Sequence, residues 1–444
     1  MPAGSLKKTA ALVIILSAAS FGHAQSSPLS FSSAYELAQS SAPELAVARF
    51  KVDSADSQRA IAVGSILPQV TLFGQFSDNR IQYDSELSVA DQNFYGQRYG
   101  LQLSQTLLDL SQGFEVSRLG FVKKQSQEEV AIAETDLLNM LIEAYLSVLL
   151  ADEDVEQYEA ELTSVERQLE EATALYERNL LPVTQVLEIQ TRADTVRADV
   201  IMSRGKALVA REELSMLVGE PVGELAQVMD DFALFNRFAS ATDASREASL
   251  NSPSIAAAEA ALEAAKKGVD AEKANRFPTV NFTYSFQHSD VGFDNLQAPA
   301  RDTSTLAVGF NYPLFEGGAG IARLKGARAK FNSAETSYRS ESIKVEIRAR
   351  SAWLSLRAAT ERLLAGKKAI VSARTNLDAS RKAVLAGTAR VSDVLIALSQ
   401  NTRAVRDFSQ AKFEYATAWV ELEMATGSNP SVTASKISRA LHGN

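Results

Sequence analysis

The chain has 444 residues, 22% of them charged, with a formal net charge of −9 and no cysteine. That acidic balance argues against nucleic-acid binding, and the missing cysteine excludes disulfides, thiolate metal sites and a lipid-modified N-terminal cysteine. Only His23, His288 and His442 could supply imidazole, so neither a metal nor another cofactor is expected.

Residues 1–24 read as a secretory signal peptide. Lys7 and Lys8 precede the short apolar run AALVIILSAA, and the small-residue pattern Gly22-His23-Ala24 follows it. No other stretch approaches eighteen apolar residues. An exported chain of this kind that spans a membrane does so as a β-barrel.

The mature sequence is written twice. Pro43 and Pro68 recur as Pro253 and Pro278, and AYLSV at 144–148 returns as AWLSL at 352–356. Val186, Leu187 and Gly219 return as Val394, Leu395 and Gly427. The first repeat is expected over 25–218, a linker over 219–241, the second repeat over 242–427, and a loose polar tail over 428–444. Each repeat reads as a helical segment, two strands around a polar loop, and a long helical pair.

In the first repeat the strands are expected at 69–77 and 99–108, and the helical pair at 112–218. In the second the strands fall at 279–287 and 304–313, and the helices at 318–426. Val280, Phe282, Tyr284 and Phe286 alternate with Asn281, Thr283, Ser285 and Gln287, and Leu306, Val308 and Phe310 continue the pattern. Period-two alternation means a strand with one apolar face. The helical stretches keep a 3.5-residue apolar period, as in Leu137, Leu141, Ala144, Val148, Ala151 and Val155, which predicts long antiparallel coiled coils. The acidic clusters along 152–171 read as their solvated face. The fold class is therefore mainly α with a small β part.

Four strands cannot close a barrel, and open edges do not survive in lipid. Two chains would give eight strands with a filled interior, and three would give twelve with a lumen. The turns align as ERNLLPVTQVLEI (177–189) and LAGTARVSDVLIA (385–397). Asn179 and Gly387 suit left-handed helix ends, Thr184 and Ser392 suit N-caps, and Pro182 suits a helix start. FEGGAGIARLKG (315–326) contains Gly318-x-Gly320, but without a βαβ unit it reads as a tight strand-to-helix corner.

The twofold repeat, the Pro-strand-loop-strand-helix order and the signature LAGTARVSDVLIALSQ resemble the TolC family of outer-membrane channel-tunnels. The resemblance implies a homotrimer with a twelve-stranded transmembrane β-barrel, a periplasmic α-helical barrel and no catalytic activity. It implies export of protein or small toxic compounds, with a periplasmic adaptor (membrane fusion protein) and an inner-membrane pump of ABC or RND type. Val280, Phe282, Tyr284, Phe286, Leu306, Val308 and Phe310 would face outer-membrane lipid. Asn179, Leu180, Leu181, Gly387 and Thr388 would form the adaptor-contact tip, and Asp393, Arg390, Gln185 and Thr184 the periplasmic gate. Three positions depart from the family pattern: Val384 stands where a tyrosine is usual, Gln185 for an aspartate and Ala389 for an arginine. Glu170, Glu171, Glu177 and Glu188 near the first turn face a basic set, Arg381, Lys382 and Arg390, near the second, so opposite charges are expected to hold the mouth shut. The alternative from another class is a soluble periplasmic coiled-coil adaptor.

Overall fold

A computed structural model describes residues 28–82, 92–226, 228–229, 234–292 and 296–443. The expected signal peptide, 1–24, lies outside the described residues. The first half runs α1 (Phe31–Ser41), α2 (Pro43–Gly64), β1 (Gln69–Ile81), β2 (Gln92–Leu108), α3 (Leu110–Glu177) and α4 (Val183–Val218). The second repeats it as α5 (Ala241–Asn251), α6 (Pro253–Ala274), β3 (Thr279–Val291), β4 (Gln297–Asn311), α7 (Ala319–Leu385) and α8 (Val391–Ala425), closed by α9 (Pro430–His442).

α3 and α7, with 68 and 67 residues, each reach about 100 Å at 1.5 Å per residue. The shorter helices line up beside them in succession. Along α3, α2 and then α4 pack on one side, while α6 and then α8 fill the gap between α3 and α7. The molecule is thus a layer of four columns, with α2/α4 at one edge and α7 at the other. Alanines and leucines at coiled-coil spacing fill the seams, as Ile189, Ala193, Val196 and Val200 do on α4.

The two edge columns carry unpartnered apolar stripes. Ile201, Leu208, Val209 and Met216 on α4, and Ile343, Ile347, Leu354 and Val371 on α7, are all more than half exposed. Among the described residues, no helix is long and apolar enough to cross a membrane.

The densest core lies midway along the long helices. Phe31 and Tyr35 of α1, Leu141 and Tyr145 of α3, Trp419 and Leu422 of α8, and Ile437 and Leu441 of α9 are buried together there. The tail expected to be loose is therefore mostly helix, capped by the Asn429 side chain, which accepts from the Val432 N–H. Its polar residues outnumber the four it buries (Thr433, Ala434, Ile437, Leu441), and that composition hid the helix. His442 Nε2 accepts from the Phe31 N–H (3.4 Å), and Ser438 Oγ accepts from the Ser32 N–H (3.3 Å).

The strands form one antiparallel sheet in the order β1-β2-β3-β4. They extend beyond the expected spans at the end away from the helices, where residues 78–81 (DNRI) carry charge and no longer advertise a period. At the helical end, a bulge between Thr106 and Leu108 bends β2 toward α3. Asp109 then caps α3 by accepting from Ser111 and Gln112 N–H. The other corner needs Gly317 and Gly318, both left-handed with φ of 59° and 87°, rather than the Gly318-x-Gly320 pair expected.

Candidate functional site: an apolar sheet and a helical tip

The register decides what the sheet can touch. Val70 pairs with Leu103, Leu103 with Tyr284 and Tyr284 with Leu306. One step along, Leu72 pairs with Leu101 and Leu101 with Phe286. Phe282 meets Val308, and Val280 meets Phe310. The seven side chains expected to face lipid therefore share one face with Val70, Leu72, Phe76, Leu101 and Leu103. No helix covers that face: Leu72, Phe76 and Phe310 are 77%, 81% and 74% exposed. The opposite face presents Thr71, Gln102, Ser285 and Thr305 in one row. The edge strands β1 and β4 pair with nothing further among the described residues.

At the far end of the layer the two helical hairpins turn in the same way. Asn179 and Gly387 both take the left-handed conformation, with φ of 56° and 71°. Leu180 N–H donates to Leu175 carbonyl, Thr388 N–H to Ala383 carbonyl, and Asn179 and Gly387 N–H to Tyr176 and Val384. These paired bonds satisfy the last carbonyls of α3 and α7. Leu180, Gly387 and Thr388 are exposed, whereas Leu181 packs on a small core of Val165, Ile189, Leu377, Val394 and Leu395.

The returning helices start differently from the expectation. Pro182 and Arg390 occupy the N-cap positions, leaving Thr184 and Ser392 inside the first turn with no capping bond. Asp393 sits at the third helical position, and its Oδ2 accepts from the Arg390 N–H (2.9 Å) while its own N–H donates to the Arg390 carbonyl (3.0 Å). Gln185 is its counterpart on α4, but Pro182 has no N–H to offer, so no equivalent reach-back bond can form. Within the chain, none of Glu170, Glu171, Glu177, Glu188, Arg381, Lys382 and Arg390 forms an ion pair, so charge between the hairpins of a single copy does not close the mouth.

The acidic run of α3 is not a solvated face. Its carboxylates are partnered by two neighbouring helices. From α4, Arg192 meets Glu161, Arg197 meets Glu166 (2.7 Å), Arg204 meets Glu159 (2.6 Å) and Arg211 meets Asp152 (2.7 Å). From α8, Arg406 forks onto Asp154 (2.6 and 2.9 Å) and donates to the Tyr158 hydroxyl (2.6 Å), and Lys412 meets Glu153 (2.9 Å). The bonds to Asp154 hold the Arg406 pKa above its ordinary value. Burial pushes Asp152 up against the pull of Arg211. Paired charges of this kind set helix register and bind the two halves of the chain together.

Long coiled-coil columns carrying a four-stranded sheet, apolar on its uncovered face, define an outer-membrane channel-tunnel. The sequence profile described as outer membrane efflux protein matches residues 34–220 and again 244–428, and the chain belongs to that family. The alkaline protease secretion protein AprF of Pseudomonas aeruginosa is 26% identical over 413 residues, covering 88% of this chain and 83% of that protein. The outer membrane protein TolC of Escherichia coli is 24% identical over 406 residues, covering 88% and 81%. The fold matches the outer membrane protein VceC of Vibrio cholerae with a TM-score of 0.77 at 18% identity, covering 90% of this chain and 96% of that one. The CmeC outer membrane channel of Campylobacter jejuni gives 0.76 at 15%, covering 99% and 98%. The protein is an exit channel of the Gram-negative outer membrane that extends into the periplasm and works with an adaptor and an inner-membrane pump.

Proposed function

We propose that three copies close into one duct, with twelve strands in the outer membrane and twelve helical columns beneath it. The observation that carries this is the coincidence of unmet surfaces. The sheet has two open edges and an uncovered apolar face, and the columns at the two edges of the layer bear the exposed apolar stripes. An even number of antiparallel strands per copy lets β4 of one copy meet β1 of the next without breaking alternation. The apolar face then meets lipid and the polar face lines the lumen.

The tip residues Asn179, Leu180, Leu181, Gly387 and Thr388 form the surface offered to a periplasmic adaptor. Asp393, with Arg390, Gln185 and Thr184, rings the inner mouth. Asp393 Oδ1 makes no hydrogen bond within the chain, which leaves half of the carboxylate for passing cations. The mouth charges that find no partner within one copy meet those of neighbouring copies, and a ring of such pairs contributes where one exposed pair, at about 0–1 kcal/mol, would not. The pump is of ABC or RND type, and the cargo is secreted protein or small toxic compounds. AprF, a protease secretion protein, favours the first. None of these residues acts as a catalyst.

Light scattering on the detergent-extracted protein tests the assembly. A protein mass three times that of the single chain is expected, and a monomer recovered from buffer without detergent overturns the reading in favour of a soluble coiled-coil adaptor.

A further inference from the structure

On the polar face of the sheet, charge is confined to one row near the end away from the helices. Gln75 pairs with Arg98, Arg98 with Ser289, and Ser289 with Arg301. Two strand spacings separate the arginine backbones, about 10 Å. Between this row and the helices the same face carries no charge: Phe73, Gly100, Gln287 and Thr303 come next, then Thr71, Gln102, Ser285 and Thr305. The acids nearby along the strands are occupied elsewhere. Asp290 Oδ1 accepts from the Gln97 N–H (2.7 Å), and Asp302 stands on the apolar face, bonded to His288 Nδ1 (2.7 Å).

Arg98 is also partly walled off from water. Its same-face neighbours on β2 are Gly96 and Gly100, and other side chains fill the space a Cβ would take: Val291 lies over Gly96, and the Phe73 ring lies 3.0 Å from a Cβ built on Gly100. Arg98 Nε is buried and has no hydrogen-bond partner. A desolvated guanidinium that no carboxylate neutralises is costly unless an anion meets it.

We propose that Arg98 and Arg301 form an anion-binding collar in the barrel lumen that takes multivalent oxyanions such as phosphate chains. The proposal rests on the three-copy reading, which places six guanidinium groups around one cross-section of the lumen. Guanidinium forks match phosphate oxygens in pairs, and the low-dielectric walls beside Arg98 strengthen the field. The duct then has ends of opposite sign, with arginines in the barrel and the Asp393 carboxylates at the inner mouth.

Inorganic tripolyphosphate is the probe. With single channels in planar bilayers at 0.1 M KCl, micromolar tripolyphosphate on the barrel side is expected to interrupt the current. The block should weaken at least tenfold in Arg98→Gln and in Arg301→Gln. Arg98→Lys, which keeps the charge without the fork, should fall between. Arg80→Gln on the opposite face should leave the block unchanged. Raising KCl to 1 M, where the screening length falls to about 3 Å, should abolish it. Normal channels that ignore tripolyphosphate, or a block that survives both glutamine substitutions, overturn the collar and leave the duct standing. Preparations that form neither channels nor trimers overturn both.

Discussion

Glu161 is an acid with a 1% exposed side chain on α3, bonded to Arg192 of α4. Arg192→Leu would strand that carboxylate in the seam, and an orphaned buried charge costs about 3–5 kcal/mol. The double change Glu161→Leu with Arg192→Leu should recover most of that loss, because it removes the charge along with its partner. Chemical unfolding of the two variants side by side reads the difference. Asp393 calls for a subtler substitution. Asn at 393 keeps an oxygen to accept the Arg390 N–H but removes the charge, so α8 stays capped. The reversal potential under a KCl gradient should move toward anion preference in Asp393→Asn, and an unchanged potential would refute a role at the mouth.

The two hairpin turns are a natural experiment in one conformation built from two residue types. Gly387→Ala places a Cβ in left-handed backbone at a cost of about 1–2 kcal/mol, whereas Asn179→Gly relieves a smaller strain. Thermal unfolding should therefore show the first falling and the second holding or rising. α9 responds to burial instead: Ile437 is fully buried, and Ile437→Ala should cost about 2–5 kcal/mol and loosen the waist to proteolysis. These elements differ in how openly the sequence announces them. The strands were legible from the alternation of Val280 through Phe286, and the long columns from a heptad that never slips. The Asn179 and Gly387 ends were legible from residue type. Thr184 and Ser392 misled because a hydroxyl one turn-position inside the helix looks the same, in sequence, as one at its cap. The acids at 152–166 misled because nothing local to α3 says that α8, some 250 positions later, brings Arg406 and Lys412 against it. The Arg98–Arg301 row was invisible until the register of three strands was known.

At the scale of the whole molecule, the layer of four columns buries its middle and leaves its margins greasy. A charge placed on either margin should block ring closure without unfolding the chain. Val209→Glu on α4 and Ile347→Glu on α7 are expected to leave the helical signal in circular dichroism intact while the trimer is lost from light scattering. The same substitution at Met140, on the inner column α3, should affect assembly less. If the α4 and α7 variants still assemble, the stripes serve another purpose.

The meeting of α1 with α9 at the waist has a consequence for biogenesis. Export delivers the polypeptide amino end first, so the Phe31 amide and the hydrophobic socket around Tyr145 must wait until the closing dozen residues emerge. A product cut short by a premature stop codon would arrive with that socket open and greasy, in a compartment rich in proteases. The clasp between the two termini thus works as a check on completeness, letting only full-length chains mature.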